Sequence, residues 1–426
     1  MALTTSAPDT HSPLAPTPAR RLLGMVVVGL LLSTFVSDSR LAKLPLQHLL
    51  KVHLHLSPIQ MSEFFGLTSL AWYFKPIAGL LADAVPLWGS RRRNYLLLSG
   101  LGAGACWGLL GLVPRHMEPL VWTLVAANAF AVLASSVSGG LLVEAGRLRG
   151  WTGRLGTLRE TIIAGTILVA QPIGGYLVGH AFGLTCGISA ALFLGMVPAA
   201  LLLLPERRIV TTADALYPRA TWADIKARIK PVFAARALWL AALFIFLKDL
   251  SPGFGQISTP LYYYQTNVLH FDSVFLGWLG GLYNGCAIVG ALLYGLLCTR
   301  VPLKTLLTVS IVLSVFGSLL FLGYHSHTSA IAIQAVSGLL GIFVAVALMD
   351  LAARAAPVGA EAMAYSLLMS AANLGTTGAD IGGSWLFERL HSSLPPLIWI
   401  SAGTTALALL ALPLVPRAIL ARRDTT

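Results

Sequence analysis

The chain has 426 residues, of which 56% are hydrophobic and only 11% charged. A soluble protein of this length carries roughly 25% charged residues, so the composition excludes an ordinary soluble enzyme and points to a protein that crosses a membrane several times. The formal net charge of +12 suggests nucleic acid at first sight, but the placement of the basic residues argues against it.

The N-terminal MALTTSAPDTHSPLAPTPAR lacks the apolar stretch of a signal peptide. It is rich in Pro, Ser and Thr, so residues 1–21 are expected to form a disordered tail. A hydrocarbon core of about 30 Å takes about 20 helical residues to cross. Apolar segments of that order lie at 22–53, 58–83, 94–113, 119–145, 154–181 and 183–204. A polar, basic linker follows at 205–235, whose ATWADIKARIK reads equally as an interfacial amphipathic helix or a solvated linker helix. Six more segments lie at 236–267, 272–298, 304–323, 328–354, 359–388 and 394–416, before a short tail at 417–426.

Lys and Arg set the orientation. With the N-terminus inside, the predicted external loops hold only Lys51, Arg115 and Arg389, while Arg91, Arg92, Arg93, the linker and the C-terminal tail fall on the cytoplasmic side. Both termini are therefore expected in the cytoplasm, and the basic surplus is topology rather than a nucleic-acid surface. The four cysteines lie in apolar stretches without metal-ligand spacing and are expected to be reduced core residues.

The two sets of six segments resemble each other. LHLSP at 54–58 matches LHFDS at 269–273, GLLADAVPL at 79–87 matches GLLCTRVPL at 295–303, and PIGGYLVG at 172–179 matches DIGGSWLF at 380–387. Three landmarks in one order suggest duplication. Six plus six helices is the layout of major facilitator transporters, whose site lies between the halves.

A Lys, Arg or Asp at the centre of a span costs about 2.5–3.5 kcal/mol on insertion scales, so such residues are expected to pair or to face water. The first span carries Asp38, Arg40 and Lys43; the seventh carries Lys248 and Asp249. Adjacent residues on a regular helix point about 100° apart, so Lys248 and Asp249 need not bond each other, and pairs across the halves, for example Asp38 with Lys248 or Arg40 with Asp249, are open to them as well. Pro252, Gly253, Gly255 and Pro260 can break the seventh helix just beyond them. The functional alternative to a structural ion pair is an anion held by Lys248 or Arg40, with Asp249 or Asp38 titrating.

Other candidates are less sharply marked. Arg159 and Glu160 open the fifth span and are equally well read as an interfacial anchor. Lys75 lies about two turns from Asp83 and either pairs with Glu144 or lines the lower cavity. Tyr262, Tyr263 and Tyr264 sit near the outer face, where an aromatic belt competes with stacking on a flat ring. Asn284, Gln171 and Asn373 are helix–helix contacts or cavity lining. His55 and His270 occupy one repeat position before a helix start and read as boundary residues.

GLLADAVPLWGSRRR, residues 79–93, resembles the major facilitator loop motif. Gly79 lets a second helix approach, and Asp83 can pair with Arg91, Arg92 or Arg93 to latch the cytoplasmic side; headgroup anchoring is the alternative role of the arginines. The second half keeps Gly295 and Arg300 but has Thr299 in place of the aspartate, so its latch is expected to be weaker. The longer FKPIAGLLADAVPLWGSRRRNYLLLSG (74–100), with SPGFGQISTPLYYYQTNVLHF (251–271) and AAPVGAEAMAYSLLMSAANLG (355–375), resembles the folate–biopterin transporter branch of the major facilitator superfamily. One departure is the fourth span, where ASSVSGGLLVEAGR has Ser and Gly until Glu144 instead of earlier acidic residues.

The expected molecule is an all-α membrane protein of twelve transmembrane helices in two pseudo-symmetric six-helix bundles, 22–204 and 236–416. The residues imply a cavity with both signs of charge, the expected activity is transport of a small anionic solute by alternating access with protons as the driving ion, and the resemblance implies that the solute is a folate or biopterin compound. Alternatives are transport of a sugar, amino acid or drug, or a transport-inactive receptor. No cofactor, metal or nucleic acid is expected, nor catalysis: there is no zinc spacing, no phosphate loop and no nucleophile elbow. The expected setting is a bacterial inner membrane, with the protein a monomer in the bilayer.

Overall fold

A bilayer core offers no water to a bare peptide group, so a chain this apolar must close its backbone hydrogen bonds within each segment. The computed structural model describes residues 19–35, 40–84, 87–88, 90, 92–149, 155–204, 230, 232–250, 258–298, 300–355 and 361–412. Among them the regular structure is helical, apart from one isolated bridge between Leu87 and Ser90. The linker segment 205–229 lies outside the described residues.

In chain order the helices are α1 (Ala19–Phe35), α2 (Lys43–His48), α3 (Pro58–Thr68), α4 (Leu70–Tyr73), α5 (Lys75–Ala84), α6 (Arg93–Leu110), α7 (Met117–Arg149), α8 (Leu155–Leu177), α9 (Phe182–Leu194) and α10 (Met196–Leu203). Then come α11 (Arg236–Asp249), α12 (Thr259–Tyr263), α13 (Ser273–Leu297), α14 (Leu303–Leu320), α15 (His327–Ala355), α16 (Glu361–Arg389) and α17 (Leu394–Ala411). Among the described residues, five stretches are long and apolar enough to cross a membrane: Met117–Leu142, Phe182–Leu203, Ser273–Leu297, Leu303–Gly323 and His327–Leu348. Other predicted spans are helical but interrupted or polar. The first is split between α1 and α2, the second breaks at Ser69 and Phe74, and α8 carries Arg159, Glu160, Gln171 and the helix-interior Pro172.

The duplication is written into the backbone. α2 runs into a π-helical turn at Leu49–His53, and α12 into one at Tyr264–Val268. Each turn is followed by a histidine in the left-handed region, His55 at φ 50° and His270 at φ 53°. Each histidine is followed by a side-chain cap: Ser57 Oγ accepts from the Gln60 N–H, and Asp272 Oδ1 from the Phe275 N–H. Such caps contribute about 1 kcal/mol each. The expectation that the two histidines mark boundaries therefore holds, and the likeness extends back through the Pro-Leu of both helices, Pro45-Leu46 and Pro260-Leu261.

α8 packs on α13 with the backbones almost touching. A Cβ on Gly175 would lie 2.4 Å from the Ser273 carbonyl oxygen, and one on Gly277 2.6 Å from that of Gln171. Small residues permit this approach where no hydrophobic force drives helices together. The second seam joins α16 to α3 and α5.

The apolar cores divide unequally between the two ends. Towards His55 and His270, one cluster takes side chains from both sets of helices, among them Phe64, Trp107, Leu261, Phe271, Phe387 and Leu397. Elsewhere the sets have separate cores, one around Met25, Leu96, Val137 and Met196, the other around Phe244, Tyr294, Leu307 and Leu351.

Gly175→Ala is expected to lower stability by about 1–3 kcal/mol, because a carbonyl occupies the space the methyl needs. Gly187→Ala, where nothing lies within 4 Å of the added Cβ, should gain up to about 1 kcal/mol from helix propensity. Thermal unfolding in detergent checks both; similar shifts for the two variants would contradict the close α8–α13 seam.

Candidate functional site

α11 ends at its charged pair. Lys248 Nζ lies 2.6 Å from Asp249 Oδ1, with the two side chains 22% and 16% exposed. Of the pairings left open, the structure shows the one between neighbours. Leu250 already leaves the helical region, and a cation in the last turn also suits the helix dipole. α16 presses on this turn through Gly375, where a Cβ would lie 2.8 Å from the Phe246 carbonyl oxygen and 2.9 Å from Asp249 Cβ. Asn373, two residues away on α16, is partly exposed.

Asp38, expected opposite this pair, lies outside the described residues, and Arg40 is partly exposed in the turn before α2. A different pair spans the halves. Lys43 at the start of α2 is 7% exposed, with its Nζ 3.2 Å from the centroid of the Phe65 ring. It lies within electrostatic reach of Asp380 on α16. Asp380 in turn accepts from both the N–H and the hydroxyl of Thr259 at the start of α12, each at 2.8 Å. The sequence showed Asp380 only as part of a repeat landmark; its charge within an apolar run opposite Lys43 was the signal available.

A third group lies on the other set of helices. Lys75 is buried at the start of α5, donates to Ser135 Oγ at 3.1 Å, and stands 5.4 Å from the Trp72 ring. Arg159 and Glu160 bond each other on α8 and lie within electrostatic reach of Lys75. Of the three residues expected separately at 75, 159 and 160, Arg159 and Glu160 are paired, while Lys75 contacts Ser135 and Trp72. The Glu144 side chain, an expected partner of Lys75, lies outside the described residues.

Tyr262 and Tyr263 are 4% and 5% exposed, which removes them from a lipid-facing aromatic belt. Tyr262 instead lines a small, water-sized cavity together with Gln47, Gln171, Gln265, Gln334 and Ser258. Of these glutamines only Gln171 stands out in the sequence, because an uncharged side chain barely alters the hydropathy of its segment. Asn284 Nδ2 donates to the Gly280 carbonyl one turn back on α13, 2.9 Å away, so it acts within its own helix.

At the predicted cytoplasmic loop, Gly79 faces Ser366 across the α5–α16 seam, with 3.8 Å from its would-be Cβ to Oγ. The side chain of Asp83 and the whole of Arg91 lie outside the described residues; Arg92 is partly buried. Arg300 is exposed after α13. Asn94 was missed: its Nδ2 donates to the carbonyls of Leu87 and Trp88, and its N–H to Ser90 Oγ, so it pins the loop to the start of α6. At the opposite end the halves are stitched together. Lys51 donates to Thr266 and Asn267, Tyr263 to the Leu56 carbonyl, and the Ile59 N–H to Glu388 Oε1 at 2.8 Å.

Residues 37–423 match the BT1 family. The chain belongs to the BT1 family. Among curated relatives, it is 29% identical over 399 residues to the folate-biopterin transporter of Synechocystis, covering 88% of this chain and 78% of the relative. It is 23% identical over 420 residues to the probable folate-biopterin transporter 4 of Arabidopsis thaliana, covering 81% and 84%. Its fold resembles a nucleoside transporter (TM-score 0.64, 14% identity, 93% of this chain and 98% of the other) and a D-xylose-proton symporter (TM-score 0.64, 18% identity, 93% and 97%). These neighbours have the major facilitator fold. The BT1 chain is therefore an integral membrane protein of a transporter family, not an enzyme.

Asp380→Ala is expected to cost about 1–3 kcal/mol, because it leaves the two Thr259 donors without their acceptor. Lys43→Met combined with it should show a coupling of about 1 kcal/mol or more in a double-mutant cycle read by thermal unfolding. Strictly additive losses would contradict the Lys43–Asp380 interaction.

Proposed function

We propose that the chain is a twelve-span secondary transporter that moves a small anionic solute, folate- or pterin-like, by alternating access between bundles 22–204 and 236–416. The observation that carries this reading is the unequal core. The halves share apolar packing and the Lys51, Tyr263 and Glu388 bonds at the His55/His270 end, and keep separate cores at the other. With the basic loops in the cytoplasm, this is a state closed to the outside and ready to open inward. Both termini then lie in the cytoplasm, in the inner membrane of a bacterium, with the protein working as a monomer.

Charge gives the solute its handle. Lys248 supplies a cation at the end of a broken helix, where half-helix ends commonly meet substrate or ions. An incoming carboxylate competes with Asp249 for that ammonium. Asp249 is the residue assigned to proton coupling. Lys75, Arg159 and Glu160 form a second charged group on the facing bundle. Asp83 and the arginines at 91–93 latch the cytoplasmic side in the opposite state. The relatives named as folate-biopterin transporters support the choice of solute.

Uptake of radiolabelled folate into proteoliposomes, with and without an inward-directed proton gradient, tests this reading. Native protein should show gradient-stimulated uptake. Lys248→Ala and Asp249→Asn, each folded as judged by thermal unfolding, should lose about 90% or more of it, matching the loss of one charge-assisted contact. Folded native protein that takes up no folate would overturn the choice of solute, and uptake unchanged in both variants would overturn the site.

A further inference from the structure

The chain has 10 histidines, and all but His11 of the N-terminal tail lie at one end. They fall in or beside every connection at the His55/His270 end. His48, His53 and His55 surround the first, and His116 and His180 belong to the second and third. His270 marks the fourth, His325 and His327 the fifth, and His391 the last. The connections at the opposite end hold none. An amphipathic ring that anchors helices at a membrane surface would serve either face, so anchoring does not account for a one-sided set.

Contacts hold these residues to the same end. The His53 ring lies 6.4 Å from that of His48, and the His327 ring 4.4 Å from that of Phe271, next to His270. The His391 N–H donates to the Glu388 carbonyl, and Glu388 itself reaches across the halves to Ile59. His180 follows α8, whose Gly175 meets Ser273 at the start of α13. His48 is half-buried, and the other histidines of this end are exposed.

The fixed charges at this end nearly cancel. Lys51, Arg115 and Arg389 are set against Glu63, Glu118, Asp272 and Glu388. Lys51 is engaged by Thr266 and Asn267, the Arg389 guanidinium lies 4.9 Å from the Trp385 ring, and Asp272 caps α13. Histidine gains its charge as the pH falls from about 8 to about 5. Acid therefore turns a nearly neutral face strongly positive, whereas the opposite end keeps its lysines and arginines at any pH. Histidine also suits the constraint of insertion, which keeps Lys and Arg out of outer loops but not a neutral imidazole. A surface of one sign concentrates counter-ions and raises their association rates by about 10- to 1,000-fold.

We propose that this face is an acid-charged collecting surface for a small polyvalent anion: in an acidic medium its histidines draw the anion to the outer mouth of the transport path, and at neutral pH they let it go. The assignment rests on the transport reading above, which puts this face outside and makes the solute anionic. It is separate from proton coupling at Asp249, because it needs no pH difference across the membrane.

The test uses the full-length chain in nonionic detergent, with its four cysteines replaced by serine and Val52→Cys as reporter. Val52 is 45% exposed and lies between Lys51 and His53. Two thiol reagents with the same reactive group, one bearing a sulfonate and one a trimethylammonium, are the probes. The ratio of their rates cancels the ionisation of the thiol and reads the local potential. Thr305→Cys, exposed at the opposite end, is the control. At low salt the sulfonate-to-ammonium ratio at residue 52 should rise about tenfold or more between about pH 8 and about pH 5.5. Most of the rise should vanish in about 1 M salt, where charges are screened within about 3 Å. At residue 305 the ratio should change by less than about twofold, because Lys and Arg do not titrate in this range.

Replacing every exposed histidine by a neutral amide should abolish the rise. Asn is used at His55, His270 and His391, where φ is positive and Asn is tolerated, and Gln elsewhere. His53→Gln, His116→Gln, His180→Gln and His325→Gln together avoid those strained positions, and should cut the rise by about half even if the larger variant fails to fold. A native rise below about twofold, a rise of equal size at residue 305, or a rise unchanged in the fourfold variant would overturn the proposal. Uptake of folate into proteoliposomes held at about pH 5.5 on both sides should fall as salt is added, and should depend less on salt in the fourfold variant. A reagent rise in protein that takes up no folate would overturn the choice of solute above and support the surface; uptake without the rise would do the reverse.

Discussion

A hydrocarbon phase offers no partner to a charge or to a hydrogen-bonding group, and most of this structure follows from that. Lys43, Lys75, Asp380, Gln47 and Gln171 are all set within apolar sequence, and every one of them is directed between helices. Lys43 finds an aromatic face, Lys75 a serine and an indole ring, and Asp380 two donors of Thr259. These polar groups are tolerated because two sets of helices close over them, and the closure needs the bare backbone contact of Gly175 and Gly277. The seam and the polar interior depend on each other.

The breaks in the first and seventh predicted spans serve the same end. Residues 40–42 form a turn before α2, and Leu250 leaves the helix at the end of α11. Charge sits beside both breaks. A continuous helix would bury all its carbonyls in its own ladder, whereas a helix end exposes carbonyls and carries a partial charge. The π-helical turns, left-handed histidines and capped helix starts repeat at the far end of both segments, so the two halves meet through nearly identical corners. There Lys51 reaches across to Thr266, its own counterpart in the repeat.

Much of this was legible in the sequence, and the misses share a cause. Composition fixed the membrane setting, because low charge over a long chain leaves no soluble alternative. LHLSP and LHFDS marked the corner correctly, since the same local chemistry caps both helices. What stayed open or failed was anything that depends on which neighbour a side chain meets. Lys248 and Asp249 bond each other because the helix ends at that point, which a regular-helix geometry leaves open. Tyr262 and Tyr263 looked like an outer belt by depth, but neighbouring helices cover them. Gln47 and Gln334 passed unnoticed because hydropathy averages over a segment, while their importance lies in where the amides converge. Asp380 was seen as a repeat position, and its charge was overlooked beside the louder pair in the seventh span.

The central claim is that the middle of the seventh predicted span faces water from one side of the membrane only. Replacing Cys106, Cys186, Cys286 and Cys298 by serine and introducing Lys248→Cys provides a single reporter. Its reaction with a charged, membrane-impermeant thiol reagent is then compared in vesicles of the two orientations. Labelling from the cytoplasmic side, slow or absent from the outside, is the result expected. Labelling from outside alone, or from neither side, would contradict an interior that opens towards the cytoplasm.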